Sequence, residues 1–394
     1  MKILLAAASI SAQVSGVQRH ALNVARSLLT RAEVETVHLV VAPWQREMVR
    51  DSGIEINPRL IVHSAEMSKG ALSRNLWYYR QLPSLSAQVG VDVVHLAYPV
   101  GVNARAFVCP TVVTLHDLYP YEIPANFGFP KVIFNRLLLQ QCLRNVDAIA
   151  CVSDTTLLKL NSYVPRRLAA KALRIYNCIE AESRCSTDSP IPKWRGEPFL
   201  LCVAQHRRNK NISFLLRVFK SLVSRGLVDS AMRLVIVGIA GPETSTIRRT
   251  IHQTGLEDNV LLMEGLLESE LQWCYRNCAA LLAPSTTEGF GLPIVEALLA
   301  GCRVVCSDIS AFREIGGDRC RYVSLNGNAE RAFAVAIIDT LKQQPPPPVS
   351  LPVLSASVIA EQYVRLYRKL IGSAGAERAQ TFSTSASVSE RHLL

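Results

Sequence analysis

The chain has 394 residues, of which 49% are hydrophobic and 19% charged, with a formal net charge of +11. This length and apolar content suffice for two substantial domains and exclude a mainly disordered chain. The positive charge indicates an anionic partner, such as nucleic acid, a membrane surface or a phosphorylated small molecule, without choosing among these classes.

The first half of the chain alternates between strand and helix patterns. We expect helices at 17–30 and 131–145, and strands at 2–8, 37–43, 91–97, 111–116 and 148–153. Strands separated by helix-length segments predict right-handed βαβ units and a mainly parallel sheet. The opening MKILLAAASISAQ also imitates a signal peptide, but the amphipathic helix that follows it favours a buried first strand.

A polar, proline-bearing segment at 183–198 predicts a linker between a domain at 1–182 and a second one at 199–356. The second half repeats the alternation, with strands at 199–204, 233–238, 259–265, 279–285 and 303–308 and helices at 211–224, 244–255, 267–276 and 293–300. A further helix is expected at 357–372, and the Ser-, Ala- and Thr-rich remainder, 373–394, predicts a disordered tail. Two tandem doubly wound domains predict a ligand cleft between the carboxyl ends of two sheets.

Two classes of site or segment are disfavoured by the sequence. No stretch approaches ~20 uninterrupted apolar residues, so a membrane-spanning helix is not expected. Most of the 11 cysteines lie in apolar runs, which is typical of core residues in a reducing compartment. Cys274 with Cys278, and Cys302 with Cys306, form two CxxxC pairs, but neither lies in the short polar loop that zinc sites favour.

The segment TTEGFGLPIVEALLAG, residues 286–301, holds two glutamates in an otherwise apolar run. Pro293 suits the first turn of a helix, and the backbone N–H groups of Gly289, Phe290, Gly291 and Leu292 then form an anion site at its N-terminus. Glu288 precedes the turn, and Glu296 lies in the helix, where its carboxylate can accept hydrogen bonds from hydroxyl groups. Both glutamates are equally consistent with ordinary helix-terminus carboxylates.

EGFGLPIVE resembles the E-x7-E motif of the retaining glycosyltransferases of family 4, which have the GT-B fold: α/β, with two Rossmann-like doubly wound domains facing each other across a cleft. VTLHDLYPYEIP, VAQHRRNKNISFLLRVF and GCRVVCSDISAFREIGG resemble further segments of that family. The helix at 357–372 looks like the family's C-terminal helix, which returns to the first domain. The resemblance therefore covers nearly the whole chain.

The resemblance implies a role for each matching residue. Glu296 would bind the ribose of a nucleotide-sugar, and Glu288 with the N–H groups of 289–292 would bind the transferred sugar. Lys210, with Arg207 or Arg208, would stabilise the leaving diphosphate. A lone basic cluster is more often a solvated loop, but the place of this one after the first strand of the second sheet favours the diphosphate role. His116 would contact the donor sugar near the reacting carbon. Gly16 would let the acceptor or the diphosphate approach the N-terminal helix, and it is equally consistent with an ordinary strand–helix turn.

The expected activity is transfer of a hexose from a nucleoside-diphosphate sugar to a glycan or a polyprenyl-linked saccharide, by a cytoplasmic enzyme at the inner face of the membrane. GDP-mannose is favoured because HDLYPYEIP looks like the segment of bacterial mannosyltransferases of polysaccharide biosynthesis; UDP-glucose, UDP-N-acetylhexosamine and dTDP-rhamnose stay open. No cofactor and no metal are expected, since no DxD triplet occurs and basic side chains can neutralise the diphosphate. Arg166, Arg167, Lys171 and Arg174 are equally consistent with an anionic-membrane contact and with a solvated face.

Several alternatives remain. A GT-B-like sugar-nucleotide epimerase or a phosphorylase would share the fold, although no motif identifies the pyridoxal lysine of a phosphorylase. A nicotinamide dehydrogenase is disfavoured because the first strand lacks GxGxxG. A basic nucleic-acid-binding protein would explain the charge, but WYYR at 77–80 is the only aromatic–basic cluster and is equally consistent with a packed helix, so no nucleic-acid partner is expected.

Overall fold

The computed structural model describes residues 1–12, 15–179 and 185–390, with side chains as far as residue 374. Its first seven strands form one parallel sheet in the order β3-β2-β1-β4-β5-β6-β7. They are β1 Lys2–Ala6, β2 Thr36–Val41, β3 Leu60–Ser64, β4 Val93–Leu96, β5 Thr111–Leu115, β6 Ala148–Cys151 and β7 Ala172–Arg174. The connecting helices are α1 Gly16–Leu29, α2 Arg46–Asp51, α3 Ala71–Val89, α4 Tyr119–Glu122, α5 Lys131–Asn145, α6 Asp154–Tyr163 and α7 Arg166–Ala169.

The remaining strands form a second parallel sheet in the order β10-β9-β8-β11-β12-β13. They are β8 Phe199–Val203, β9 Arg233–Val237, β10 Val260–Met263, β11 Ala280–Ala283, β12 Val304–Ser307 and β13 Arg321–Val323. The helices are α8 Ile212–Ser224, α9 Thr244–Thr254, α10 Glu268–Asn277, α11 Leu292–Leu299, α12 Ser310–Gly316, α13 Ala329–Leu341 and α14 Ala356–Glu390. The predicted α/β class with two doubly wound sheets is confirmed.

Each sheet is covered on both faces because its central strands are mainly apolar and bury side chains on both sides. In β1, Ile3 and Leu5 belong to one hydrophobic cluster, while Leu4 and Ala6 belong to another on the opposite face. Successive side chains of a strand point to opposite faces, so a continuous apolar run requires helices on both sides. The strand Phe199–Val203 divides its side chains between two clusters in the same way.

The strands that the sequence did not predict lie at sheet edges. β3 and β7 flank the first sheet, and β13 flanks the second. None of them is a fully buried apolar run, and β7 is only half-buried along its length. Edge strands bury one face or less, so they lack the hydrophobic run by which the central strands are recognised. Seven helices were not predicted with bounds either, namely α2, α3, α4, α6 and α7 of the first domain and α12 and α13 of the second.

The C-terminal helix α14 packs on the first sheet, where Ile359, Tyr363 and Tyr367 join the cluster around Ile3. The helix continues to Glu390, whereas the sequence predicted a disordered tail from residue 373. Ala, Glu, Arg and Gln after residue 373 are good helix formers, which allows the helix to extend past its packed part. Residues 391–394 lie outside the described residues, as do 180–184, where the first domain was predicted to end and the linker to begin.

The WYYR segment is a packed part of α3. Trp77 and Tyr78 are buried in the core of the first domain, while Tyr79 and Arg80 face solvent. This alternation is that of an amphipathic helix, in agreement with the packed-helix interpretation of this segment.

Candidate active site

The start of α11 places a helix N-terminus at the carboxyl edge of the second sheet. β11 ends at Ala283, and α11 begins at Leu292 after Gly291, whose φ is 107°. A Cβ at this position would also lie 2.9 Å from the ring of Phe312, so the turn into the helix requires glycine. The backbone N–H groups that begin α11 therefore point out of the sheet edge toward the first domain.

Glu288 lies in the loop before α11 and is 7% exposed. Its Oε1 accepts a hydrogen bond from Lys210 Nζ at 2.6 Å, and its Oε2 accepts one from Tyr119 Oη at 2.9 Å. Lys210 follows β8 of the second sheet, whereas Tyr119 begins α4, after β5 of the first sheet. Burial, and then the Glu288 carboxylate, raise the pKa of Tyr119 well above its ordinary value, so this hydroxyl stays a hydrogen-bond donor.

Glu296 is also held by groups from both domains. Its Oε1 lies 3.2 Å from Nη1 of Arg19 in α1, and its Oε2 accepts a 2.6 Å hydrogen bond from Tyr275 in α10. Arg19 makes a second ion pair with Glu268 at 2.7 Å. Burial works to lower the pKa of Arg19, but the carboxylates of Glu296 and Glu268 outweigh it and raise that pKa above its ordinary value.

His116 follows β5 and lies at the base of the first domain's half of the cleft. Its Nε2 donates to the carbonyl oxygen of Ala97 at 2.8 Å, and its ring stands edge-on to His20 at 4.8 Å between centroids. Burial lowers the pKa of His116 to about 4, so the imidazole is neutral at pH 7. In the adjacent residue, burial raises the pKa of the Asp117 carboxyl to about 6, although the Tyr119 N–H and Arg207 act against it.

The loop 288–291 is clamped against the first domain. A Cβ at Gly289 would overlap the carbonyl oxygen of His116, so the two backbones touch only because this residue is glycine. Ser153 and Thr156 lie at the N-terminus of α6. The Gly289 carbonyl accepts a hydrogen bond from each of their hydroxyls, at 3.0 Å in the case of Thr156. Phe290 is 4% exposed and packs in the core of the second domain, so only its backbone N–H could face a ligand.

Gly16 and the basic cluster complete the set of predicted residues. A Cβ on Gly16 would lie 3.2 Å from Cδ1 of Leu292, so the N-termini of α1 and α11 face each other. Arg207 is close enough to Asp117 and Tyr119 for its positive charge to oppose the rise in the pKa of each group. Arg208 is exposed, and its backbone N–H donates to Asn126 of the first domain at 3.1 Å. All the predicted residues therefore lie along the cleft, although the Arg208 side chain faces solvent.

The sequence analysis did not single out several groups that the structure adds to this site. Lys159 of α6 pairs with Glu122 at 2.5 Å and donates to Thr287 Oγ1 at 2.7 Å. Tyr119 lies three positions after His116, and Arg19 three positions after Gly16, inside or beside segments that had already been singled out. For Arg19, which shares α1 with Gly16, one helical turn of spacing was the available signal. Tyr119 begins α4 after a non-helical loop, so its only signal was its place in the segment around His116.

These side chains leave little room beside Lys210. The space next to Lys210, Glu288 and Pro293 is a cavity of about 10 Å³, which holds at most about one water molecule. A larger ligand could occupy this place only if the surrounding side chains moved and its own groups replaced their contacts.

Within the described ranges, no group of three or more His, Cys, Asp or Glu side chains could hold a metal ion. Cys278 and Cys302, one from each CxxxC pair, lie 3.2 Å apart between their sulfur atoms, and both are free thiols.

None of the helices in the described part of the chain is long and apolar enough to cross a membrane.

Comparison with protein families matches both halves of the chain. The Glycosyltransferase Family 4 model matches residues 14–183, and the Glycosyl transferases group 1 model matches residues 187–349. The first match covers α1 and His116, and the second covers Lys210 and both glutamates of the E-x7-E segment.

Individual relatives are similar over most of their length. The O-antigen chain mannosyltransferase B of Escherichia coli is 25% identical over 81% of this chain and 85% of its own. The GDP-mannose:cellobiosyl-diphosphopolyprenol alpha-mannosyltransferase of Xanthomonas oryzae pv. oryzae is 23% identical over 85% of this chain and 86% of its own. Anabaena Alr3699/HepE, solved in complex with UDP and glucose, superposes with a TM-score of 0.63 at 18% identity, over 98% of this chain and 100% of that one.

Proposed function

The chain belongs to the family 4 glycosyltransferases of GT-B fold and is a hexosyltransferase, and from this premise we propose that it moves mannose from GDP-mannose to a glycan or lipid-linked saccharide, with retention at the anomeric carbon. Mannose is supported by the two relatives named as mannosyltransferases, one of which is named for GDP-mannose and a diphosphopolyprenol-linked saccharide. The proposal places the enzyme in the cytoplasm, against the inner face of the membrane when its acceptor is lipid-linked.

The observation that carries this proposal is the buried pair of Lys210 and Glu288 at the N-terminus of α11. An ammonium group and a row of helix N–H groups stand at one sheet edge, which is suited to a diphosphate whose negative charge grows as the glycosidic bond breaks. Such groups stabilise the transition state more than the bound donor, because only the transition state carries the additional charge. Lys210 and Arg207 therefore stabilise the leaving group in our proposal.

The two glutamates bind different parts of the donor in this proposal. Glu288 lies beside Lys210 and accepts hydrogen bonds from hydroxyls of the transferred sugar, with the N–H groups of 289–292 adding further donors. Glu296, further into the second domain, accepts hydrogen bonds from the ribose, replacing those it now receives from Arg19 and Tyr275. The neutral imidazole of His116 contacts the sugar near the reacting carbon.

Donor identity is tested with the purified full-length chain. We expect GDP to raise the melting temperature more than UDP or dTDP does, because a ligand that binds only the folded state stabilises it. In the absence of acceptor we also expect slow hydrolysis of GDP-mannose, in which water takes the mannosyl group and GDP is released. When a saccharide acceptor is supplied, we expect an α-linked product, since the named donor is an α-mannoside. A shift with UDP alone, or a β-linked product, would contradict the donor or the retention, respectively, and leave the glycosyltransferase assignment standing.

A further inference from the structure

Seven large apolar side chains are exposed on one side of the first domain, on α3, on α5 and on the loop that precedes α5. We name this surface the α3–α5 face. Phe129 is 84% exposed, Leu72 78% and Leu137 63%, values at which a side chain buries little in the folded chain. The other four members are Leu76, Tyr79, Ile133 and Phe134.

Helical spacing brings these residues together. Leu72, Leu76 and Tyr79 are separated by four and three positions, and Ile133 and Leu137 by four, so each set lies along one side of its helix. The opposite sides already pack on the sheet, through Tyr78 and Leu82 of α3 and through Leu139, Cys142 and Leu143 of α5. Both helices are thus apolar on two sides, and one of these sides is left without a partner in the described structure.

The two helices form one continuous surface. A Cβ on Gly101 would lie 3.9 Å from the Tyr79 ring of α3 and 3.8 Å from Leu138 of α5, so this glycine sits where the helices meet. At their N-terminal ends they enclose an open groove of about 300 Å³. The groove is lined by Ala71, Arg74, Pro130, Lys131, Phe134 and Asn135, and so combines apolar walls with two cations.

The charge of the α3–α5 face has a single sign. The stretches 67–91, 93–116 and 123–146, which include both helices, contain no aspartate or glutamate. The cations on the two helices are Arg74, Arg80, Lys131, Arg136 and Arg144. A surface that combines exposed Leu and Phe with unopposed Arg and Lys is complementary to an anionic bilayer, which offers acyl chains beneath negative headgroups.

The α3–α5 face also adjoins the cleft. Tyr119, which donates to Glu288, begins a segment that reaches Phe129 only ten residues later. Within that segment Asn126 bonds to Asn209 of the second domain at 3.1 Å, and Arg136 of α5 donates to the Pro120 carbonyl at 2.7 Å. A headgroup held at this face would therefore present a saccharide at the mouth of the cleft.

We propose that the α3–α5 face docks the enzyme on an anionic lipid bilayer. The docking itself rests on the surface alone; only its use in delivering a lipid-linked acceptor rests on the proposed function. Two of the basic residues singled out from the sequence are engaged within the protein. Arg174 is paired with Asp154 at 3.2 Å, and Lys171 donates to the carbonyls of Arg144 and Val146 at the end of α5.

The test is flotation of the full chain with vesicles of phosphatidylcholine containing about 30 mol% phosphatidylglycerol, and with phosphatidylcholine alone, at about 0.1 M and 0.5 M NaCl. We expect wild type to float with the anionic vesicles and less so at the higher salt. The apolar variant Leu72→Ser, Phe129→Ser, Leu137→Ser should lower the partition coefficient about tenfold or more, since three inserted side chains are lost. The charge variant Arg80→Glu, Lys131→Glu should remove most of the difference in vesicle binding between the two salt concentrations.

Matched controls remove exposed groups elsewhere. Ile56→Ser, Leu267→Ser, Val335→Ser takes away three other exposed apolar side chains, and Arg225→Glu, Lys342→Glu reverses two exposed cations of the second domain. Both controls should partition within about twofold of wild type. Equal losses in variants and controls, or no flotation of wild type, would overturn the proposal.

Two further measurements separate the alternatives. If sedimentation shows a wild-type dimer that the apolar variant converts to a monomer, with no flotation of either, the α3–α5 face is covered by a second copy and the proposal is wrong. Release of GDP from GDP-mannose in solution should be unchanged in the apolar variant. If that release is absent in every protein while flotation persists, the donor assignment fails and the docking surface stands.

Discussion

Arg19 of α1 and Glu296 of α11 form a 3.2 Å ion pair across the cleft between the two domains. The other glutamate of the motif is held in the same way, because Glu288 accepts a hydrogen bond from Tyr119 of the first domain. Each carboxylate proposed to bind the donor thus already binds the opposite domain. Donor binding and contact between the domains therefore compete for the same oxygen atoms.

Replacing Arg19 with alanine should strengthen nucleotide binding. The variant frees Oε1 of Glu296 for a ribose hydroxyl, and the pair that is lost is only partly buried, so we expect the Kd for GDP to fall about three- to tenfold. Isothermal titration calorimetry measures this change. Arg26→Ala, on the same helix but bonded to the Ser52 carbonyl, should leave the Kd unchanged. A rise in Kd for Arg19→Ala would show that Arg19 holds the ligand.

Lys210→Ala should lower kcat for mannosyl transfer about 100-fold or more, because an ammonium group is lost where negative charge develops. Glu288→Gln should lower transfer as well. The amide keeps the shape of the side chain, but it has no charge with which to pair with the Lys210 ammonium. Steady-state kinetics checks both variants, with Lys342→Ala as a control on an exposed lysine of the same domain. Wild-type turnover in either Lys210→Ala or Glu288→Gln would refute the assignment of the site.

Gly289→Ala should disrupt the contact between the domains. The added Cβ would overlap the His116 carbonyl, and neither backbone segment can rotate away as a side chain would. We expect a lower melting temperature. We also expect weaker GDP binding by calorimetry, because the displaced loop leads into α11 and moves the N–H groups at its start. Gly372→Ala, where a Cβ would meet nothing within 4 Å, provides the control and should leave both measurements unchanged.

Acid should destabilise the first domain through its buried histidines. Burial lowers the pKa of His95 to about 3 and that of His116 to about 4, against an ordinary 6.5. Between about pH 6.5 and 4 the unfolded chain therefore binds protons that the folded chain does not, so stability is lost as the pH falls. His95→Gln should narrow the difference in melting temperature between pH 7 and pH 5, whereas His252→Gln, at an exposed position, should not.

Asp117 acts in the opposite direction over part of this range. Its raised pKa, about 6 against 3.8, means that the folded chain binds the extra proton between these values and loses stability as the pH rises through them. Asp117→Asn should therefore widen the difference in melting temperature that the histidines cause. An unchanged difference would show that the Asp117 carboxyl ionises in the folded chain as it does in the unfolded chain.

The two parallel sheets, half of the helices and the start of α11 were predictable from the sequence alone. These features depend on patterns within about 20 residues of chain: apolar runs for strands buried on both faces, a 3.6-residue repeat for helices, and proline with glycine at a helix N-terminus. Edge strands such as β3 and β7 lack such a run, which is why they were missed.

The contacts of each glutamate, in contrast, depend on how the two domains meet. Tyr119 lies 169 positions from Glu288, and Arg19 lies 277 positions from Glu296. No local pattern encodes these pairs, because they form where the edges of two separately folded sheets meet. The same holds for the α3–α5 face: its apolar residues look like core residues in the sequence, and only the packing of the helices on one side of the sheet shows that they face outward.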